Sequence, residues 1–153
     1  MTDEDYLRRA IALAAQAEAD GDVPIGAVLV CGDLVVETKN EKERRPDPSA
    51  HAEMLAIREA AHRLGVWRLA GATLYVTKEP CLMCAGAIVA ARIERLVFGA
   101  YDPKGGAAGS VINAFTSPAV NHRVTVTGGI LEEETSHQLR AFFERKRNKE
   151  TEL

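Results

Sequence analysis

Thr73-Leu74-Tyr75-Val76-Thr77, then Pro80-Cys81-Leu82-Met83-Cys84-Ala85-Gly86-Ala87, then Arg95-Leu96-Val97-Phe98-Gly99 is the stretch that decides how this chain folds. The first run is short and apolar and follows Gly71, which predicts a strand. Pro80 is suited to opening a helix, because a helix start has no use for its missing N–H. Ala85, Ile88 and Val89 then supply that helix with apolar contacts. The third run predicts a second strand. Strands alternating with helices imply a mostly parallel sheet covered on both faces.

The reading extends outward from there. Tyr6, Leu7, Ala10, Ile11, Ala14 and Ala17 share one helical face, which predicts a helix over 3–20 ended by Gly21. Residues 25–30 form a short apolar strand. Gly32-Asp33 turns it into a second strand over 34–39, giving a starting hairpin. Residues 40–49 read as a polar loop, with Ser49 as N-cap of a helix over 50–64. After the Gly-rich stretch Asp102–Ser110 come a short helix over 111–115, a last strand over 123–127 and a final helix over 132–149. The expectation is one α/β domain spanning 1–153.

The chain has 153 residues, 46% hydrophobic and 27% charged, which is enough for one compact core. No stretch approaches the ~20 apolar residues that span a bilayer. Thr2, Asp3, Glu4 and Asp5 are the reverse of a signal peptide's positive start, so a cytoplasmic protein is expected. Three cysteines make a poor disulfide framework, and the Cys81/Cys84 pair reads as metal or redox chemistry. A net charge of −3 argues against nucleic acid only weakly, because a binding footprint depends on local charge. Arg140, Arg145, Lys146, Arg147 and Lys149 outnumber Glu144, Glu150 and Glu152 in the tail. That excess suits either a solvated face or phosphate contact.

Cys81 and Cys84 are spaced to share one helix face, at a helix start that favours thiolates. His51 also falls at a predicted helix start. One imidazole and two thiolates suit zinc and leave a fourth tetrahedral position open, as catalytic sites do. Glu53 is surplus to the ligands and suited to moving protons. A closed structural site would need a fourth ligand, for which Cys31, His62, His122 and His137 are the candidates. Cys31 reads as a small apolar strand residue and Trp67 as a packing anchor.

The pairing of His51-Ala52-Glu53 with Pro80-Cys81-Leu82-Met83-Cys84-Ala85-Gly86-Ala87 resembles the cytidine deaminase-like superfamily. Further stretches are similar to bacterial tRNA adenosine deaminases of the TadA type. These are Asp47-Pro48-Ser49-Ala50, Thr73–Thr77, Phe98-Gly99-Ala100, Asp102-Pro103-Lys104 and Gly106-Ala107-Ala108-Gly109-Ser110. The resemblance covers nearly the whole chain.

It implies a three-layer α/β/α sandwich around a five-stranded sheet, and a homodimer that binds a tRNA anticodon stem-loop with both subunits. It also implies hydrolysis of adenosine to inosine at the wobble position of an arginine tRNA, through a zinc-activated hydroxide. His51, Cys81 and Cys84 would hold one Zn2+ per chain and Glu53 would shuttle protons. Asn40 matches an asparagine that contacts the flipped nucleotide. Glu41 departs from the basic residue often found after that asparagine, and Ser49 replaces a commoner threonine.

By the residues alone, Asn40 and Asp102 also suit turns, while Asp102 lies in a loop that could face RNA. Phe142 and Phe143 must face different ways, one into the core and one toward a base or a dimer partner, and Phe143 is the candidate for substrate contact. Two other functions remain open at this stage. One is a zinc deaminase of a free base or nucleoside such as guanine. The other is a nucleic-acid-binding module with structural zinc, in which Glu53 would be dispensable.

Overall fold

The computed structural model describes residues 1–152, and the side chains of 1–151. Its order is α1 (Asp3–Ala19), β1 (Gly26–Cys31), β2 (Leu34–Lys39), α2 (Ala52–Leu64), β3 (Thr73–Lys78), α3 (Leu82–Ala90), β4 (Arg95–Ala100), a 3-10 turn (Ala114–Thr116), β5 (Thr125–Thr127) and α4 (Glu132–Glu152). The acidic start of the chain is a helix cap. The Thr2 hydroxyl accepts from the Asp5 N–H at 3.2 Å, and the Asp5 carboxylate accepts from the Thr2 N–H at 2.8 Å. This reciprocal pair satisfies two orphan donors of α1.

The five strands lie in the order β2-β1-β3-β4-β5. β1 is antiparallel to both of its neighbours, and β3, β4 and β5 are parallel to one another. The sheet is therefore mixed, where the alternation of elements predicts a mostly parallel one. The reason lies in the hairpin. β2 turns back from β1 to the sheet edge, and the crossover through α2 then lays β3 on the other side of β1. β2 and β3 thus run the same way and end on the same side of the molecule.

Alternate strand residues feed two helical layers, as the pleat requires. Ala27, Leu29, Leu74, Val76, Leu96 and Phe98 pack with Ala52, Ala56 and Ala60 of α2 and Ile88 of α3. Val28, Tyr75 and Val97 pack with Leu7 and Ala10 of α1 on the opposite face. α4 joins the α1 layer. Gln138 donates to the Ile11 carbonyl at 3.1 Å, and Arg145 pairs with Glu18.

Three boundaries differ from expectation. α2 starts at Ala52, because the Ser49 hydroxyl and N–H both donate to Asp47 Oδ1, at 2.8 and 2.9 Å, and close a turn before the helix. The expected helix over 111–115 is a single 3-10 turn at Ala114–Thr116, led by Asn113. The last strand is shortened to Thr125–Thr127. Trp67 is no packing anchor. It is 62% exposed, with the Arg68 and Arg92 guanidinium groups 5.2 and 5.8 Å from its ring centroid.

Gly26 lets α1 rest directly on the first strand. A Cβ there would lie 2.1 Å from the Ala10 carbonyl oxygen and 2.8 Å from the Ala14 nitrogen. Gly26→Ala should therefore lift the helix and lower stability by about 1–3 kcal/mol, as overpacking does. Chemical unfolding followed by circular dichroism measures the loss.

Candidate active site

α2 and α3 bring their first residues together at one end of the sheet. His51 is the N-cap of α2 and Cys81 the N-cap of α3, and neither side chain makes the capping bond usual there. Both side chains are thereby free for another task. Asn40, at the end of β2, takes over for His51. Its side-chain oxygen accepts from the Ala52 N–H at 2.8 Å, and the residue is buried.

His51, Cys81 and Cys84 place a nitrogen and two sulfurs within 4.8 Å of one another. His51 Nδ1 lies 3.7 Å from Cys81 Sγ and 3.4 Å from Cys84 Sγ. Bonds of about 2.0 Å to nitrogen and 2.3 Å to sulfur span a tetrahedral edge of about 3.5 Å, so the three donors fit one tetrahedral metal ion. Of the four residues that could close such a site, none joins the cluster among the described residues. Cys31 points its sulfur at the Ala70 carbonyl, and His122 bonds the Ile93 carbonyl at 2.9 Å.

Glu53, two residues along α2, is 4% exposed, and its Oε1 has no hydrogen-bond partner among the described residues. A buried carboxylate oxygen without a donor is costly unless something else occupies the space beside it. Burial pushes the Glu53 carboxyl above its ordinary range. The three groups share their protons unevenly. Hydrogen bonds from Cys84 and His51 bring Cys81 down to about 3, while Cys84, facing that thiolate inside the protein, is pushed up. His51 is raised, chiefly by its bond to Cys81. The bonds from Cys84 and His51 favour the thiolate of Cys81, which stands at a helix start.

The other residues singled out by sequence lie around this end. Asp102 bonds Lys78 Nζ at 3.1 Å and accepts from the Lys104 and Gly105 N–H groups, so it shapes its own loop. Phe143 is exposed on α4 and meets Phe142 edge to face at 5.2 Å. Phe142 is the more covered of the two. Arg145, Lys146 and Lys149 of α4 line a cavity of about 400 Å³ with Lys42, Glu18 and Glu43. Lys42 is close enough to His51 for its charge to oppose protonation of the imidazole. Arg145, Lys146 and Lys149 therefore share one surface with Lys42, two residues beyond Asn40.

Glu79 is absent from the sequence reading. It is 3% exposed and takes four hydrogen bonds from the 102–110 loop. Burial pushes its carboxyl up, but the donors, led by Ser110, outweigh this and hold it below its usual range. A glutamate beside Pro80 gave no signal of this, because every donor lies more than twenty residues away.

A sheet that delivers H-x-E and P-C-x-x-C to one point from two helix starts is the arrangement of the cytidine deaminase-like fold. The profile of the MafB19-like deaminases matches residues 1–147, and the chain belongs to that family. It is 52% identical over 148 residues to the tRNA-specific adenosine deaminase of Bacillus subtilis (strain 168), covering 96% of this chain and 92% of that one. A solved structure from a study of A-to-I editing by tRNA:A34 deaminases at the wobble position superposes with a TM-score of 0.85. It is 45% identical and covers 88% of this chain and 99% of that one. A guanine deaminase structure from Bacillus subtilis gives a TM-score of 0.65 at 34% identity, covering 97% and 95%.

Cys84→Ala should weaken zinc binding by more than about 100-fold, the upper end for residues that merely support a ligand. It should also lower the melting temperature, because metal binding contributes folding free energy. Cys31→Ala, outside the cluster, should keep the parent's affinity. Zinc titration against a chromophoric chelator separates the two.

Proposed function

We propose that this protein hydrolyses adenosine to inosine at the wobble position of a tRNA anticodon. One Zn2+ per chain would be held by His51, Cys81 and Cys84, within a single deaminase domain over 1–153. The observation that carries the reading is the buried, unpartnered Glu53 oxygen beside a three-donor cluster. A structural zinc site has no use for it. Support for the substrate comes from the relatives at 45–52% identity that are named for tRNA adenosine deamination.

Zinc, when bound, lowers the pKa of water to about 7 and so supplies the nucleophile. Glu53 would take one proton from the attacking water and pass it to the ring nitrogen, then take the second from the hydroxyl added at C6 and pass it to the departing amine, so that a carbonyl forms and ammonia leaves. Its raised pKa in the closed pocket brings it toward the range where a carboxyl both accepts and gives protons near neutrality. Asn40 commits its oxygen to Ala52 and keeps its amide NH2 for the flipped nucleotide. Asp102 shapes the RNA-facing loop, and exposed Phe143 offers a ring for a splayed base. An anticodon loop yields its bases at little cost, which a duplex does not.

A homodimer is supported by the apolar surface formed by α3 and the segment between β4 and the 3-10 turn. Leu82, Met83, Val111 and Ile112 are all exposed there, beside a cavity of about 410 Å³ lined by Val89 and Val120. A patch of that kind marks an interaction surface. Among the described residues no helix is long and apolar enough to cross a membrane. With tRNA as substrate, the protein would act in the cytoplasm. The likeness to guanine deaminase keeps a free purine base as the second reading, so guanine and an anticodon stem-loop belong side by side in the assay.

Glu53→Ala should keep one zinc per chain and lose deamination by about 100-fold or more. Release of ammonia and inosine measures activity, and atomic absorption measures the metal. Parental turnover would remove the mechanism.

Lys42→Ala with Lys146→Ala and Lys149→Ala should weaken binding of the stem-loop and flatten its salt dependence by about 0.7 per lost phosphate contact. It leaves the Arg145–Glu18 pair intact. Affinity at two salt concentrations decides. An unchanged slope would make the basic cavity a solvated face.

A further inference from the structure

Three consecutive residues at the end of β3 hold one loop. Lys78 pairs with the Asp102 carboxylate, and the Pro80 carbonyl accepts from the Ala107 N–H at 2.9 Å. Between them, Glu79 Oε1 accepts from the Asp102 N–H at 2.9 Å and from the Ser110 hydroxyl. Its Oε2 accepts from the Ala108 N–H at 2.9 Å and the Ser110 N–H at 3.1 Å. Each carboxylate oxygen thus takes two donors, which fills its acceptor capacity. The loop backbone wraps the group so closely that a Cβ on Gly106 would lie 2.3 Å from the Glu79 carboxyl carbon.

The segment from Asp102 to Ser110 is otherwise held by bonds to itself and to the residues just after it: the Gly106 N–H donates to the Asp102 carbonyl at 3.0 Å, the Gly109 N–H to the Ile112 carbonyl at 2.9 Å and the Ala114 N–H to the Ala107 carbonyl at 2.9 Å. Its one ladder contact among the described residues is a bridge from Ala108 to Asn113. Its outer part, Pro103 to Gly105, is exposed and carries Lys104. A buried charge in a low-dielectric setting strengthens each of its hydrogen bonds. The residue after Pro80 is the metal-cluster residue Cys81. The loop is therefore referenced to the segment that carries Cys81 and Cys84 more than to the rest of the fold.

We propose that Glu79 is a positioning residue for substrate: its carboxylate fixes the 102–110 loop in register with the metal cluster, so that RNA held by the loop presents its base at the reacting centre. The inference rests on the tRNA reading above and adds a residue to it. Glu79 touches neither the metal donors nor the base. Its effect runs through the loop backbone.

Glu79→Gln keeps the shape but turns an NH2 toward at least one loop N–H, which breaks that bond and leaves two donors facing each other. With an anticodon stem-loop as substrate, the zinc-loaded variant should show KM raised about tenfold or more, with kcat within about threefold of the parent. Zinc content should stay at the parent's level. Ser110→Ala removes one donor from the outer side, perturbs the core less and serves where Glu79→Gln fails to fold. It should raise KM about threefold in the same assay.

Parental KM in the folded variants overturns the role. A loss of kcat at unchanged KM also overturns it, because the residue would then act on the metal centre. A parent protein that releases no inosine from the stem-loop sinks the tRNA reading and takes this inference with it. An active parent with indifferent variants sinks the inference alone.

Discussion

Two helix starts have to meet at one point, and the strand order is what allows it. α2 follows β2 and α3 follows β3. β2 and β3 flank β1 and both run antiparallel to it, so both end on the same side. A fully parallel sheet would place the end of β1 there too, and the hairpin that carries Asn40 to α2 would not exist. The common direction of β2 and β3 is therefore what brings His51 within 3.7 Å of Cys81 and 3.4 Å of Cys84. Small residues make the close packing possible. Ala52, Ala56 and Ala60 give α2 a thin inner face against Ala27 and Leu29 of the sheet.

Using N-cap positions for metal donors has a cost that the fold meets elsewhere. An imidazole or thiol turned toward a metal cannot satisfy the helix N–H groups, and an exposed start in a buried place is destabilising. Asn40 supplies the missing acceptor at α2 from a different element. Around α3 the Pro80 carbonyl and the Glu79 carboxylate face the 102–110 loop and hold it against the start of the helix. Asn40 and Glu79 are thus counterparts. Each lies at a strand end, each is buried, and each ties chain that carries metal donors to another segment through backbone N–H groups.

What the sequence made legible follows from the range of each interaction. The hairpin over 34–39 and the βαβ run around Cys81 rest on local periodicity, and the strands match within a residue. The meeting of His51, Cys81 and Cys84, a group that could hold a metal, was legible because H-x-E and P-C-x-x-C are short motifs of fixed spacing. Ser49 misled because a serine before an apolar run reads as a cap, while its actual partner, Asp47, competes for the hydroxyl two residues earlier. The mixed sheet was hidden because alternation of elements does not say on which side of β1 the third strand lands. Trp67 misled because size suggests burial, yet arginine side chains can cover an exposed ring. Glu79 was illegible for the opposite reason: its partners, three backbone N–H groups and the Ser110 hydroxyl, are 23 to 31 residues away, which no composition or pattern marks.

Net charge is a poor guide to partners here because the two ends of the sheet are built differently. At the end away from the metal cluster, Asp3 bonds Arg95 at 2.9 Å and the Tyr75 hydroxyl at 3.0 Å, closing the base of α1 onto β3 and β4. Burial, then the nearby Asp3 carboxylate, pushes the Tyr75 hydroxyl up to about 12, so that group stays a neutral donor. The acidic surplus of the first helical turn is thus spent on capping and on this seal. α1 and α4 both carry the chain back toward the cluster end, where Lys42, Lys146 and Lys149 line the open cavity beside the Arg145–Glu18 pair. A chain of net charge −3 can therefore carry a locally positive surface. The relevant field is the one at the mouth of the site. There the four basic groups Lys42, Arg145, Lys146 and Lys149 outnumber the two acids Glu18 and Glu43, while Asp3 and Asp5 are held at the opposite end of α1.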